Sequence, residues 1–185
     1  EQYDALEKVL LKQALEIVRA GDVGVLSAWF AACRFRPASA FRPEAVTYVS
    51  KTGRGNIHWE LPPVISSHEP WLPKELKLAE IVRANCAQGR KTLTFVEQTG
   101  TRDIRDRLKE VIEKLAPGGN MTLVEVPPSV GILSARDMSP AKREAWIKLA
   151  APKMDAMLVN PKLVETGLDL VMFSDLVFYE ITTSL

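Results

Sequence analysis

The stretch DAMLVNPKLVETGLDLVMFSDLVFYE, Asp155 to Glu180, decides the fold. Met157 to Val159 and Leu176 to Tyr179 are short apolar runs of strand type, and the Pro, Gly and Asp residues between them mark a connection. Near-continuous apolar runs are what buried parallel strands carry, because helices cover both faces of such a sheet. The reading is therefore two buried strands with a loop between them. Ligands of parallel sheets sit beyond the carboxyl ends of the strands, which puts Asn160 to Asp169 where binding is expected. A plain crossover loop fits the same local pattern.

Working upstream, the chain alternates strands and helices. Ser139 followed by Pro140 opens a helix that Pro152 ends. Met121 to Val126 and Val130 to Leu133 read as strands. Ile104, Leu108, Val111, Ile112 and Leu115 recur at i, i+4, i+7, i+8 and i+11, the spacing of an amphipathic helix, and Thr99 or Thr101 is the expected cap. Thr92 to Val96 is a β-rich strand, and residues 74 to 88 a helix with Pro73 at its start and Gly89 at its end. This β-α-β-α-β order predicts an α/β fold with a mostly parallel sheet.

Residues 1 to 73 have a different character. Tyr3, Leu6, Leu10, Ala14 and Ile17 fall at helical spacing up to Gly21, and Val25, Leu26, Trp29, Phe30 and Cys33 suggest a second, more buried helix ending before Pro37. Between residues 36 and 73 the six prolines, Pro37, Pro43, Pro62, Pro63, Pro70 and Pro73, exclude a long helix. Val46 to Val49 and Ile57 to Trp59 are expected to pair as a small hairpin around Gly53 and Gly55.

Composition narrows the chemistry. With 46% hydrophobic and 25% charged residues in 185, the chain has the makeup of a globular protein with one substantial core or a core plus an appendage. No apolar run approaches the roughly 20 residues that span a bilayer, and the charged start EQYDALEK has no secretory pattern, so a cytoplasmic, membrane-free protein is expected. Cys33 and Cys86 are far apart and lack CxxC spacing, which argues against a disulfide framework or zinc site. His58 and His68 alone would have to carry any histidine-dependent hydrolysis or metal chemistry. Charge is uneven: Arg34, Arg36, Arg42, Lys51 and Arg54 face only Glu44 in one segment, whereas Lys162 faces Asp155, Glu165, Asp169, Asp175 and Glu180 in the other. The basic segment is a candidate phosphate-tracking surface, with a solvated face as the alternative.

The succession KTLTFVEQTGTRDIRDRL, SPAKREAWI and VNPKLVETGLDLVMFSDLVFYE resembles the second RecA-like lobe of superfamily 2 helicases, in particular the Swi/Snf-like DNA translocases. The resemblance covers residues 74 to 185 and implies a three-layer RecA-like domain, with residues 1 to 73 as an extension or inter-lobe insertion. It implies that Lys91 to Thr101 is the strand and turn of motif IV and Gly167 to Leu170 the core of motif V. Gln98, Thr99, Thr101 and Arg102 are then expected at nucleic-acid phosphates, and Gly167 and Asp169 at the ATP cleft. Arg143 resembles a recurrent basic position of the family. Pro161 stands where many members carry a hydroxyl residue, so Asn160 or Thr166 would have to make that contact.

Two departures shape the functional expectation. No GxxxxGK(S/T) phosphate loop occurs in the 185 residues, and the arginine-bearing motif VI expected after the last strand is not found. The expectation is a fragment of an ATP-dependent DNA (or RNA) motor whose missing first lobe holds ATP and Mg, so that this chain alone carries no catalytic residue, binds no metal and turns over no ATP. The rival class is a non-enzymatic module that binds nucleic acid or protein on a degenerate RecA-like fold.

Overall fold

The computed structural model describes residues 2–50, 56–63, 71–114, 126–134, 138–164 and 169–180. The chain divides into two compact units, Glu1–Pro70 and Trp71–Leu185.

In the first unit, α1 (Gln2–Arg19) and α2 (Val25–Ser39) are followed by the antiparallel hairpin β1 (Glu44–Val49) and β2 (Asn56–Leu61). Leu10 and Ala14 of α1, Val25 and Ala32 of α2 and Trp59 of β2 form its core, with Ile17, Trp29 and Tyr48 packed against them. Of the spacing read for α1, Leu10 and Ala14 are buried and Ile17 packs against them. Gly21, at φ +95°, turns the chain between the helices in a backbone conformation that L side chains rarely adopt. The buried Asp22 carboxylate then ties this turn to the hairpin, accepting from Tyr48 Oη at 2.5 Å, Ser50 Oγ at 2.6 Å and the Gly24 amide at 3.2 Å.

Two expectations for α2 are corrected. The helix does not stop before Pro37 but runs through it to Ser39. The proline lies in the last turn, where its missing N–H forfeits a single bond, and Ser39 Oγ donates to the Phe35 carbonyl at 3.2 Å. Leu26 and Phe30 are exposed instead of buried, because Ala32 and Trp29 supply the face that meets α1 and the hairpin.

The second unit is an α/β domain: a four-stranded, wholly parallel sheet flanked by helices, consistent with a RecA-like fold. Its elements are α3 (Pro73–Ala87), β3 (Thr92–Phe95), α4 (Arg105–Lys114), β4 (Val130–Leu133), α5 (Pro140–Ala150), β5 (Ala156–Val159) and β6 (Asp175–Phe178), and the strand order is β4-β5-β3-β6. Pro73 begins α3 where an N–H is dispensable, Glu75 Oε2 accepts from the Leu72 amide at 2.8 Å, and Gly89 leaves the helix at φ +69°. Asn85 of α3 donates to Thr92 Oγ1 on one face of the sheet, while Ile147, Ala151 and Met154 pack with Leu93, Met157 and Val159 on the other. Adjacent positions of β3 point to opposite faces, so α3 and α5 lie on opposite sides of a three-layer sandwich.

The sheet corrects two further expectations. The runs at 157–159 and 176–179 are both strands, but they flank β3 and are not equally buried. Every residue of β5 is buried, whereas β6 is an edge strand with Leu176 57% and Phe178 63% exposed. An apolar run encodes a strand without encoding its place in the order. Neither Thr99 nor Thr101 caps α4. Asp103 does so, accepting the Arg105 amide at 3.1 Å, because a 3-10 turn at Gly100–Arg102 moves the helix start past both threonines. The strand expected at Met121 to Val126 lies almost wholly outside the described residues; Val126 itself is exposed and not in a strand. Among the described residues, no helix is long and apolar enough to cross a membrane.

Candidate nucleic-acid interface at the carboxyl edge of the sheet

Parallel strands that end together leave their last backbone groups without ladder partners, and those groups must be satisfied by the loops beyond. The β3 ladder runs one residue past the strand on each side: the Val96 amide donates to Val159 O at 2.8 Å, and the Tyr179 amide to Phe95 O at 3.0 Å. From Glu97 the chain leaves the sheet. Its amide and that of Gln98 both donate to Glu180 Oε2, at 2.8 and 3.0 Å, and Gln98 Nε2 donates to Glu180 Oε1. The buried Asn160, just past β5, meets the same segment from the other side, its Nδ2 donating to Val96 O at 3.3 Å and Glu97 O at 3.0 Å. Asn160 Oδ1 accepts from the Lys162 amide at 3.0 Å, which starts the short 3-10 turn Pro161–Leu163.

The far end of the turn is tied down as firmly. The buried Arg105 grips Asp103 through Nε at 2.9 Å and Nη2 at 2.6 Å, and its Nη1 donates to Leu133 O, the last carbonyl of β4, at 2.6 Å. The segment from Glu97 to Asp103 thus continues β3, is held by Asn160 and Glu180 just past β5 and β6, and is linked to the end of β4 through Arg105. Its apex, Thr99 and Gly100, is exposed, and Gly100 adopts φ +71°.

Behind the brace lies a second group of charges. Glu75 is 1% exposed and is gripped by Arg107 through Nε at 2.6 Å and Nη2 at 2.9 Å, while the Arg107 guanidinium sits 5.1 Å from the Trp71 ring centroid. Lys74 Nζ stands 4.2 Å over the Tyr179 ring, and Tyr179 Oη finds no hydrogen-bond partner among the described residues. Burial, with the nearby Glu75 and Glu180 carboxylates, pushes the Tyr179 phenol well above its ordinary pKa. Burial also lowers the Lys74 ammonium, an effect that Glu180 opposes.

The residues singled out from sequence fall into groups. Gln98 and Asn160 come together in the brace, Thr99 is at the exposed apex, and Arg102 is half-buried at the end of the 3-10 turn; of Thr101 only the backbone, within that turn, is described. Asp169 is not part of this cluster. Its exposed carboxylate accepts the Val171 amide at 3.3 Å, and it lies within electrostatic reach of Lys148 on α5, whose ammonium is raised first by its hydrogen bond to Glu144. Thr166 and Gly167 lie outside the described residues. Arg143 Nε donates to Met138 O at 3.3 Å, at the start of α5. In the basic segment of the first unit, Arg36 is 1% exposed and donates to Arg42 O at 2.8 Å and to Pro62 O, so it is a structural staple; Lys51 and Arg54 lie outside the described residues.

Sequence reasoning missed Glu180, Arg105 and Lys91. Lys91 Nζ donates to Ala151 O at 2.9 Å, Pro152 O at 3.0 Å and Met154 O, collecting the carbonyls left at the end of α5. Their only sequence signal was a charged residue bordering an apolar run, which also describes a solvated strand end. As for ATP and Mg, the described residues contain no group of three His, Cys, Asp or Glu side chains able to hold a metal ion; Gln98 and Glu180 are engaged with each other, and Asn160 with backbone. The exposed Asp169 carboxylate fits a hydroxyl donor such as a ribose. Nothing described fits a divalent cation, and no step is derived through one. No family model, curated protein or solved structure matches the chain.

Proposed function

We propose that this chain is the second motor lobe of an ATP-dependent DNA translocase, supplying one wall of the nucleic-acid path and one wall of the nucleotide cleft. The observation that carries the reading is the turn from Glu97 to Asp103, held from just past β5 and β6 and linked to the end of β4, with its apex exposed at the carboxyl edge of a parallel sheet. An exposed turn of fixed shape offers amides and hydroxyls to phosphate oxygens, contacts that position a nucleic acid without reading its sequence. Asp169, which the resemblance assigns to motif V, is proposed to face the nucleotide held by a partner lobe with a phosphate loop. The resemblance in residue order along 74 to 185 supports the motor reading over the rival binding module.

In a protein or complex that joins this chain to such a lobe, Asp169→Ala is expected to lower DNA-stimulated ATP turnover by about tenfold, since its carboxylate acts at the cleft. The melting temperature of the lobe should change little, because an exposed aspartate contributes little to folding. Normal turnover in the variant would remove Asp169 from the nucleotide site. Sequence-independent DNA binding with no turnover in any such assembly would favour the binding module.

A further inference from the structure

We propose that Glu180 is the positioning residue of the nucleic-acid turn: one carboxylate, delivered from the end of β6, sets the direction of the Thr99–Gly100 apex by holding both amides at its base. This rests on the reading of that turn as the contact surface. The peptide amides of Glu97 and Gln98 emerge where the β3 ladder has ended, and without Glu180 they would be orphan donors in a half-buried place. Oε2 takes both amides and Oε1 takes the Gln98 carboxamide, which fixes the Gln98 side chain against the sheet. Glu97 is thereby clamped on both sides, its N–H by Glu180 and its C=O by Asn160.

With Asp103 and Arg105 locking the other end, only the residues from Thr99 to Arg102 lie between fixed points. So short a span has little freedom, and its donors are oriented before any ligand arrives. Asn160 follows β5 directly and Glu180 lies two residues past β6, so the base of the turn is held from beyond both strands that flank β3. Glu180 is 9% exposed, so its charge faces the turn's amides and is largely withdrawn from solvent.

Conservative and truncating variants separate positioning from charge. Gln at 180 still accepts both amides through its carbonyl oxygen, and its NH2 meets the Gln98 carboxamide once that group turns over; Ala can do neither. With a short duplex DNA as probe, measured by anisotropy well below the melting transition, Glu180→Ala should weaken binding about tenfold and Glu180→Gln by less than about twofold. Asn160→Asp, which sets an acceptor against the Val96 and Glu97 carbonyls, should weaken it as Ala does.

Removal of a repelling negative charge alone would tighten binding in both Glu180 variants. That outcome, wild-type affinity in Glu180→Ala, or equal loss in Gln and Ala would each overturn the proposal. If the unmodified chain binds no DNA, the functional reading fails. Positioning is then decided by amide hydrogen exchange, where Glu97 and Gln98 should exchange about tenfold or more faster in Glu180→Ala but not in Glu180→Gln. Unchanged rates in Glu180→Ala would overturn it.

Discussion

Arg107 shows how much a single side chain can carry. Glu75 is almost fully buried, and its carboxylate has Arg107 and the Leu72 amide as partners, so removing the guanidinium strands a charge inside the fold. Breaking a buried pair from one side costs far more than the intact pair contributes, so Arg107→Ala is expected to destabilise the second unit by about 3 kcal/mol, measured by urea unfolding. A loss below about 1 kcal/mol would mean that water replaces the arginine and that the pair behaves as a surface bridge. None of this was legible from the sequence, where Arg107 is one of several charges on an amphipathic helix. The apolar stripe of that helix was legible: Ile104, Leu108, Val111 and Ile112 are all buried, because a 3.6-residue repeat turns one face inward.

At the scale of elements, Gly131 of β4 faces the flexible end of Met154, which follows α5 and its 3-10 turn, so a side chain at Gly131 fits only if that thioether moves. A Cβ there would collide with Met154 Sδ and Cε, which sit in the core beside Leu93 and Met157. Gly131→Ala should therefore cost only about 1 kcal/mol or less, because the Met154 thioether can turn aside. In a double-mutant cycle with Met154→Ala the two losses should fall well short of additive, since the smaller neighbour vacates the contested space. Additive losses would place the cost in the β4 backbone. Helix and strand identities were mostly readable because periodicity and terminators such as Pro73, Gly89 and Pro140 act locally. The cap of α4 was not, because a 3-10 turn intervenes between the threonines and the helix, and Arg105, which caps onto Asp103, also reaches Leu133 across the domain.

Taken whole, the molecule couples both of its units to alkaline pH through phenols held neutral in the fold. Tyr48 is raised by its hydrogen bond to Asp22, by desolvation and by the Asp22 charge, and Tyr179 is raised chiefly by burial. A folded pKa above the unfolded value of about 10 gives a contribution that is complete below that pH and is lost as pH rises through the folded value. The urea midpoint should hold up to about pH 9.5 and fall above it, and Tyr48→Phe together with Tyr179→Phe should flatten the fall. An unchanged alkaline limb in the double variant would assign the effect to lysines. By itself the sequence determined the α/β class of the second unit, the helical start of the first, and the order of nearly every described element. These follow from short-range sterics and from the repeat of apolar positions along the chain. Only the tertiary structure decided that β6 is an edge, that Arg36 is a staple and not a surface cation, and that Glu180 closes on Gln98 across 82 positions of sequence. Strand order and buried polar pairing are fixed by which distant surfaces pack together, and no local pattern of residues records that choice.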